Sequence, residues 1–118
     1  MKEGKVINWK HIHPEMINTP TIKGVKKRVV IGEKEGAQNF ILRVFTVSVG
    51  GHSPKHNHPW EHEVFILRGE GKVLLGDKEI EITQGHAVFV PENLEHQFVN
   101  TSENEEFEFI CVIPKGGM

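Results

Sequence analysis

The chain has no tyrosine, a single cysteine and no long apolar run. Its longest hydrophobic stretch, residues 109–113, is five residues long, and others such as residues 64–67 are four. A membrane-spanning helix needs roughly 20 apolar residues and a signal peptide an apolar core of about 7 or more. Neither a span nor a targeting segment is therefore expected, and no membrane partner. The lone Cys111 cannot form an intramolecular disulfide, which fits a reducing, cytoplasmic compartment. An excess of one charge is also missing: 14 Lys and Arg stand against 16 Asp and Glu, so the basic surplus of a nucleic-acid binder is absent. At 118 residues the chain is long enough for one domain with a real core and too short for a two-domain enzyme. Histidine is what the sequence has in plenty, with eight residues, four of them between His52 and His62.

Charge is unevenly spread. Residues 1–34 carry a balance of +5 and residues 35–118 a balance of −7. An arm over residues 1–24 that docks on the acidic face of its own or a neighbouring subunit is one reading; solvated lysines that protect strand edges are the other. A single domain is expected over residues 25–118. There, short alternating segments bounded by Gly, Asp and Asn predict strands at 25–31, 40–49, 63–68, 72–75, 79–83, 86–90, 95–100 and 106–113. No segment has the apolar spacing of an amphipathic helix with caps, so an antiparallel sandwich or barrel follows. Only residues 11–20, with Pro14 and Pro20, leave room for a short helical turn.

The run Gly50-Gly51-His52-Ser53-Pro54-Lys55-His56-Asn57-His58-Pro59-Trp60-Glu61-His62 holds the chemistry. His56 and His58 are two apart, so on extended backbone both rings leave from one face, the spacing by which one segment offers two imidazoles to one metal ion. His62 has the parity of Val64 and Ile66, opposite to Glu61 and Glu63, so three histidines can converge. Further on, Gly85, Pro91, Asn93, His96 and Asn100 form a second spaced set. Asparagine, the residue at position 93, enters the left-handed backbone region more readily than most non-glycine residues.

Together these stretches resemble the two motifs of the cupin superfamily. Gly50, His56, His58 and Gly69 match the first and Gly85, Pro91, His96 and Asn100 the second, with fifteen residues between Gly69 and Gly85. The position separated from Gly69 by six residues, a glutamate in the common motif, is His62. The chain looks most similar to small single-domain four-histidine manganese cupins of thermophilic bacteria. That resemblance implies an all-β cupin jelly roll, a homodimer, and one divalent metal on His56, His58, His62 and His96. Manganese is the ion implied, with iron, copper, nickel and zinc as alternatives.

Four neutral imidazoles leave the +2 charge of an ion uncompensated. On an octahedral ion they leave two positions for water, substrate or oxidant; a closed tetrahedral set would instead be a structural zinc site. Strand parity places Phe107, Phe109, Cys111 and Ile113 on the inward face of the last strand and Ile41, Arg43, Phe45 and Val47 on that of the second. Phe98 follows His96 at the same parity, and Trp60 lies between ligands. The pocket candidates are therefore Arg43, Phe45, Trp60, Phe98, Phe107, Phe109, Cys111 and Ile113. Arg43 either meets an anionic or carbonyl group at the cavity mouth or reaches solvent at the rim. His52 and His86 read as loop residues and His11 and His13 as part of the basic arm. The expected function is metal-dependent oxidation of a small apolar or aromatic substrate by dioxygen or peroxide. A non-redox ligand-binding module and a Lewis-acid isomerase or lyase are the alternatives, the last weakened by the lack of tyrosine and of an inward carboxylate.

Overall fold

His62, Val64 and Ile66 turn to one side of their strand and are buried, while Glu63 and Phe65 turn to the other and are exposed. This period-two alternation recurs along the chain and makes a structure of strands in which one face of the sheet leaves water. The computed structural model describes residues 3–117. The strands are β1 (Glu15–Thr19), β2 (Ile22–Ile31), β3 (Phe40–His52), β4 (His62–Arg68), β5 (Glu70–Leu75), β6 (Lys78–Thr83), β7 (Ala87–Val90), β8 (His96–Asn100) and β9 (Phe107–Pro114). All pair antiparallel in one curled sheet of order β6-β5-β8-β3-β9-β4-β7, with β2 joined to β3 and β1 to β2. This is the all-β jelly roll expected. Among the described residues no helix is long and apolar enough to cross a membrane.

β3 is the hub. Residues 40–47 pair with β9, and His52 at its far end pairs with Val99 of β8. One strand thus serves both halves of the curl, and the inward faces close over a core that includes Val47, Ile66, Val73, Phe107, Phe109 and Ile113. Each such side chain contributes about 1.5–3 kcal/mol on burial. The motif glycines Gly50, Gly69 and Gly85 all have positive φ (76°, 84° and 92°), and Asn93 has φ 64°. At Gly69 a Cβ would also strike the carbonyl oxygen of Glu106, so only glycine serves there.

One expectation changes. The helical turn placed at residues 11–20 is a 3-10 turn at Trp9–His11 followed by β1, whose Glu15, Met16 and Ile17 pair with Lys27, Lys26 and Val25. The prolines flank this strand, so neither costs it a ladder bond. The boundary drawn between residues 24 and 25 falls inside β2. Glu108 faces outward as parity requires, yet it is buried, accepting from the Thr46 hydroxyl (2.8 Å) and paired with Arg68 Nε (3.2 Å).

Asn100 fixes the turn between β8 and β9 and is 5% exposed. Its Nδ2 donates to the carbonyls of Val47 (3.0 Å) and Glu105 (2.8 Å), and its Oδ1 accepts from Ser102 N (2.8 Å). Asn100→Ala strands these groups and is expected to destabilise the fold by about 2 kcal/mol or more in urea unfolding. The exposed Thr101→Ala should stay within about 0.5 kcal/mol. Equal, small effects would mean that the turn is held by other contacts.

Candidate metal centre

His62 opens β4 and His96 opens β8, strands that face one another across the curl. His56 and His58 lie in the loop between β3 and β4, which is laced onto β8 and the turn before it. His56 N donates to His96 O (3.1 Å) and His96 N to His56 O (2.9 Å), while Ser53 N donates to Phe98 O (2.9 Å) and Asn93 N to His58 O (2.7 Å). The left-handed Asn93 thus presents its amide to the loop. The result brings all four predicted histidines together. Ring centroids are 4.6 Å apart for His56 and His58, 4.8 Å for His56 and His96, 4.9 Å for His58 and His62, and 4.7 Å for His62 and His96. One ring nitrogen each of His56, His58 and His96 lies within 4.8 Å of the others.

His96 is 2% exposed and His62 5%. His96 Nδ1 is 2.9 Å from the carbonyl oxygen of Leu94, which can only accept, so that nitrogen carries the proton and Nε2 keeps its lone pair. His62 Nδ1 lies 3.3 Å from Cys111 Sγ. Three buried imidazole nitrogens, His58 Nδ1, His62 Nε2 and His96 Nε2, have no hydrogen-bond partner. Burial also holds all four rings neutral. It is the main cause that lowers His58 to about 4 and His62 to about 3, helped by neighbouring histidines and by Arg43, and it lowers His56 and His96 too. A neutral imidazole with a free lone pair is the form that binds a metal, so these residues fit a divalent ion.

Beside the histidines is a cavity of about 100 Å³, lined by Arg43, Phe45, Ser53, Pro54, Phe98, Phe109 and Cys111 as well. Register explains the wall. Arg43 pairs with Cys111 and Phe45 with Phe109 across β3 and β9, so these side chains lie in adjacent rows on the inward face. Phe109 stacks on Phe45 (5.5 Å) and Phe98 (4.8 Å). Arg43 is half-buried, its guanidinium sits 4.9 Å from the Phe45 ring, and its Nη2 donates to Cys111 Sγ (3.0 Å). Burial pushes the Cys111 thiol up, against the pull of Arg43.

Three pocket candidates lie elsewhere. Trp60 stacks behind His58 (4.5 Å, 4° between planes) and is absent from the cavity wall. Phe107 and Ile113 face inward but are sealed in the core, 0% and 1% exposed. Parity selects a face; it does not tell how far along the strand the cavity ends. Ser53 and Pro54 were missed because they belong to the loop, where parity has no meaning. His52 stays outside the cluster, its Nδ1 near Ser53 O (3.0 Å), and His86 accepts from Thr83 N (2.9 Å) to close the turn before β7.

Comparison with known proteins gives close fold relatives. The chain is 32% identical to a polyketide cyclase from Streptomyces resistomycificus, with a TM-score of 0.87 over 95% of this chain and 80% of that one. It is 28% identical to a predicted oxalate decarboxylase from Thermotoga maritima, with a TM-score of 0.82 over 94% of this chain and 99% of that one. A curated relative, 1-methylthio-D-xylulose 5-phosphate methylsulfurylase from Rhodospirillum rubrum, is 33% identical over 72 residues, which are 61% of this chain and 46% of that protein. The chain therefore spans less than half the length of that relative. The Cupin domain profile matches residues 43–113, the stretch that holds both motifs and all four clustered histidines, and the chain belongs to the cupin domain family.

Proposed function

We propose that His56, His58, His62 and His96 hold one divalent metal ion, manganese in the first place and iron in the second, in a centre for oxidation of a small organic substrate by dioxygen or peroxide. The observation that carries this reading is the set of three buried imidazole nitrogens without a partner. Left so, each costs about 1–3 kcal/mol; a metal ion answers all of them at once. An ion of this kind supplies electrons to, and polarises, a bound oxidant. The chain's own part is to keep the four rings neutral, to orient His96 through the Leu94 carbonyl, and to exclude water with Phe45, Phe98 and Phe109. Lewis-acid isomerase chemistry has less support, because neither a carboxylate nor a tyrosine lines the cavity. The activities named for the relatives, cyclisation and decarboxylation among them, indicate that the fold hosts several chemistries, so the reading rests on the site.

A homodimer belongs to the same proposal. Phe65 and Phe89 are 45% and 54% exposed on the outer face of β4 and β7, and Phe40 is 70% exposed on β3, which β9 separates from β4. A row of exposed aromatic rings on one sheet face is the surface that a second copy covers.

Metal analysis of the protein from its native host should find about one manganese or iron per chain. Alanine at His56, His58, His62 or His96 should lower loading to less than about 0.2 per chain, with His11→Ala and His52→Ala unchanged. Full loading of His62→Ala would remove the four-histidine centre. Peroxide should add oxygen to Cys111 much faster in manganese-loaded than in zinc-loaded protein by intact mass, and equal rates would argue for a binding module.

Acid should destabilise the metal-free protein. The folded values of His58 (about 4) and His62 (about 3) lie below the ordinary 6.5, so between these limits the unfolded chain takes up protons that the folded one refuses. Stability is therefore complete above pH 6.5 and is lost as pH falls toward those values. The melting temperature of apo protein should drop by several degrees from pH 7 to 4, and by less in His62→Ala. Phe89→Glu should convert a dimer to a monomer in light scattering; a wild-type monomer at micromolar concentration would exclude the dimer.

A further inference from the structure

Arg43 is a cation that no acidic side chain answers. The other arginines of the chain have partners: Arg68 pairs with Glu106 and Glu108, and Arg28 donates to the carbonyl of Ile12. Arg43 is in none of the ion pairs among the described residues, its Nε is buried without a partner, and its one polar contact is the sulfur of Cys111. No carboxylate lines its cavity. A half-buried guanidinium is costly unless an anion compensates it. Here the fold supplies aromatic walls and a thiol, and no anion. A divalent ion on four neutral imidazoles would raise the local charge to about +3. In a small, low-dielectric cleft such a charge concentrates anions from solution.

We propose that the cavity takes a small organic carboxylate, its oxygens on the Arg43 guanidinium and its short apolar or aromatic body against Phe45, Phe98 and Phe109. Arg43 is the residue suited to this. Its plane is fixed by Phe45, and a guanidinium has five N–H donors, of which the Cys111 contact uses one. The cavity of about 100 Å³ restricts the guest to a body no larger than about one aromatic ring beyond the acid group. The inference deepens the metal reading above and rests on it for the +2 charge, whereas the contribution of Arg43 stands without the metal.

The test is calorimetric titration of benzoate and of its neutral counterpart benzamide into manganese-loaded and metal-free protein, wild type and Arg43→Gln, with metal content measured for each sample. Loaded wild type should bind benzoate at least about tenfold more tightly than benzamide, which is 1.4 kcal/mol. Arg43→Gln, still holding its metal, should lose most of that preference, and Arg43→Lys should keep part of it. Equal affinity for the two compounds in wild type, no benzoate binding at millimolar concentration, or an undiminished preference in Arg43→Gln would overturn the proposal. Should Arg43→Gln fail to fold, metal-free wild type decides, because Arg43 is then the remaining charge in the wall: a benzoate preference supports the inference and its absence overturns it. Wild type that retains no metal would sink the metal reading alone, and the same metal-free comparison would still decide the role of Arg43.

Discussion

The loop that carries His56 and His58 has no neighbouring strand of its own, so its place depends on ties to β8: Ser53 N to Phe98 O and the two backbone hydrogen bonds between His56 and His96. The latter make one residue pair of antiparallel sheet out of a segment that is otherwise irregular. His96 is in turn fixed by β8, which pairs with β5 along five residues and touches β3 at His52 and Val99. The separation of the imidazoles is therefore set by the sheet, and a site on rigid strands is held to closer tolerance than one on loops alone. The Asn93 amide on the His58 carbonyl adds a further tie, which is why a left-handed residue is needed at that point.

Charge is sorted by face. On the outer side, Thr46, Glu108, Arg68, Glu106 and Lys26 form a bonded group that leaves the buried Glu108 satisfied. On the inner side stand four imidazoles held neutral by burial, one guanidinium and aromatic rings. Strand parity makes this sorting possible, because Thr46 and Phe45, or Glu108 and Phe109, are neighbours in sequence and on opposite faces in space. Acidic residues are plentiful in the chain, yet the alternation directs Glu108, the acidic residue of β9, away from the cavity.

Much of this was legible in the sequence. Spacing and parity brought His56, His58 and His62 to one face, the resemblance to the cupin motifs added His96, and parity gave the inward rows of β3 and β9, including Arg43, Phe45, Phe109 and Cys111. It failed where period two stops. Ser53 and Pro54 line the cavity from a loop, and Phe107 and Ile113 share the right face but lie past the ends of the cavity, where core side chains close over them. Trp60 stacks on His58 from behind because Pro59 turns the chain between them. β1 was hidden for another reason: a five-residue strand with one half-buried side chain and a proline on each side has almost no alternation to read.

The histidine at position 62 has a consequence for Arg43. His62 Nδ1 and Arg43 Nη2 lie 3.3 and 3.0 Å from the same sulfur, that of Cys111, so the two side chains are separated by a single atom. A carboxylate at position 62 would stand within a few ångströms of the guanidinium and neutralise it, as Glu108 does for Arg68 on the opposite face. An imidazole held neutral by burial cannot do so. Exchanging a glutamate for His62 therefore changes more than the ligand set. It leaves the positive charge of Arg43 unanswered by the protein, and the same substitution that raises the charge of a bound ion's surroundings also frees the cation beside it. On the proposed four-histidine reading, the ligand set and the charge of the cavity wall are in this way both set by one residue.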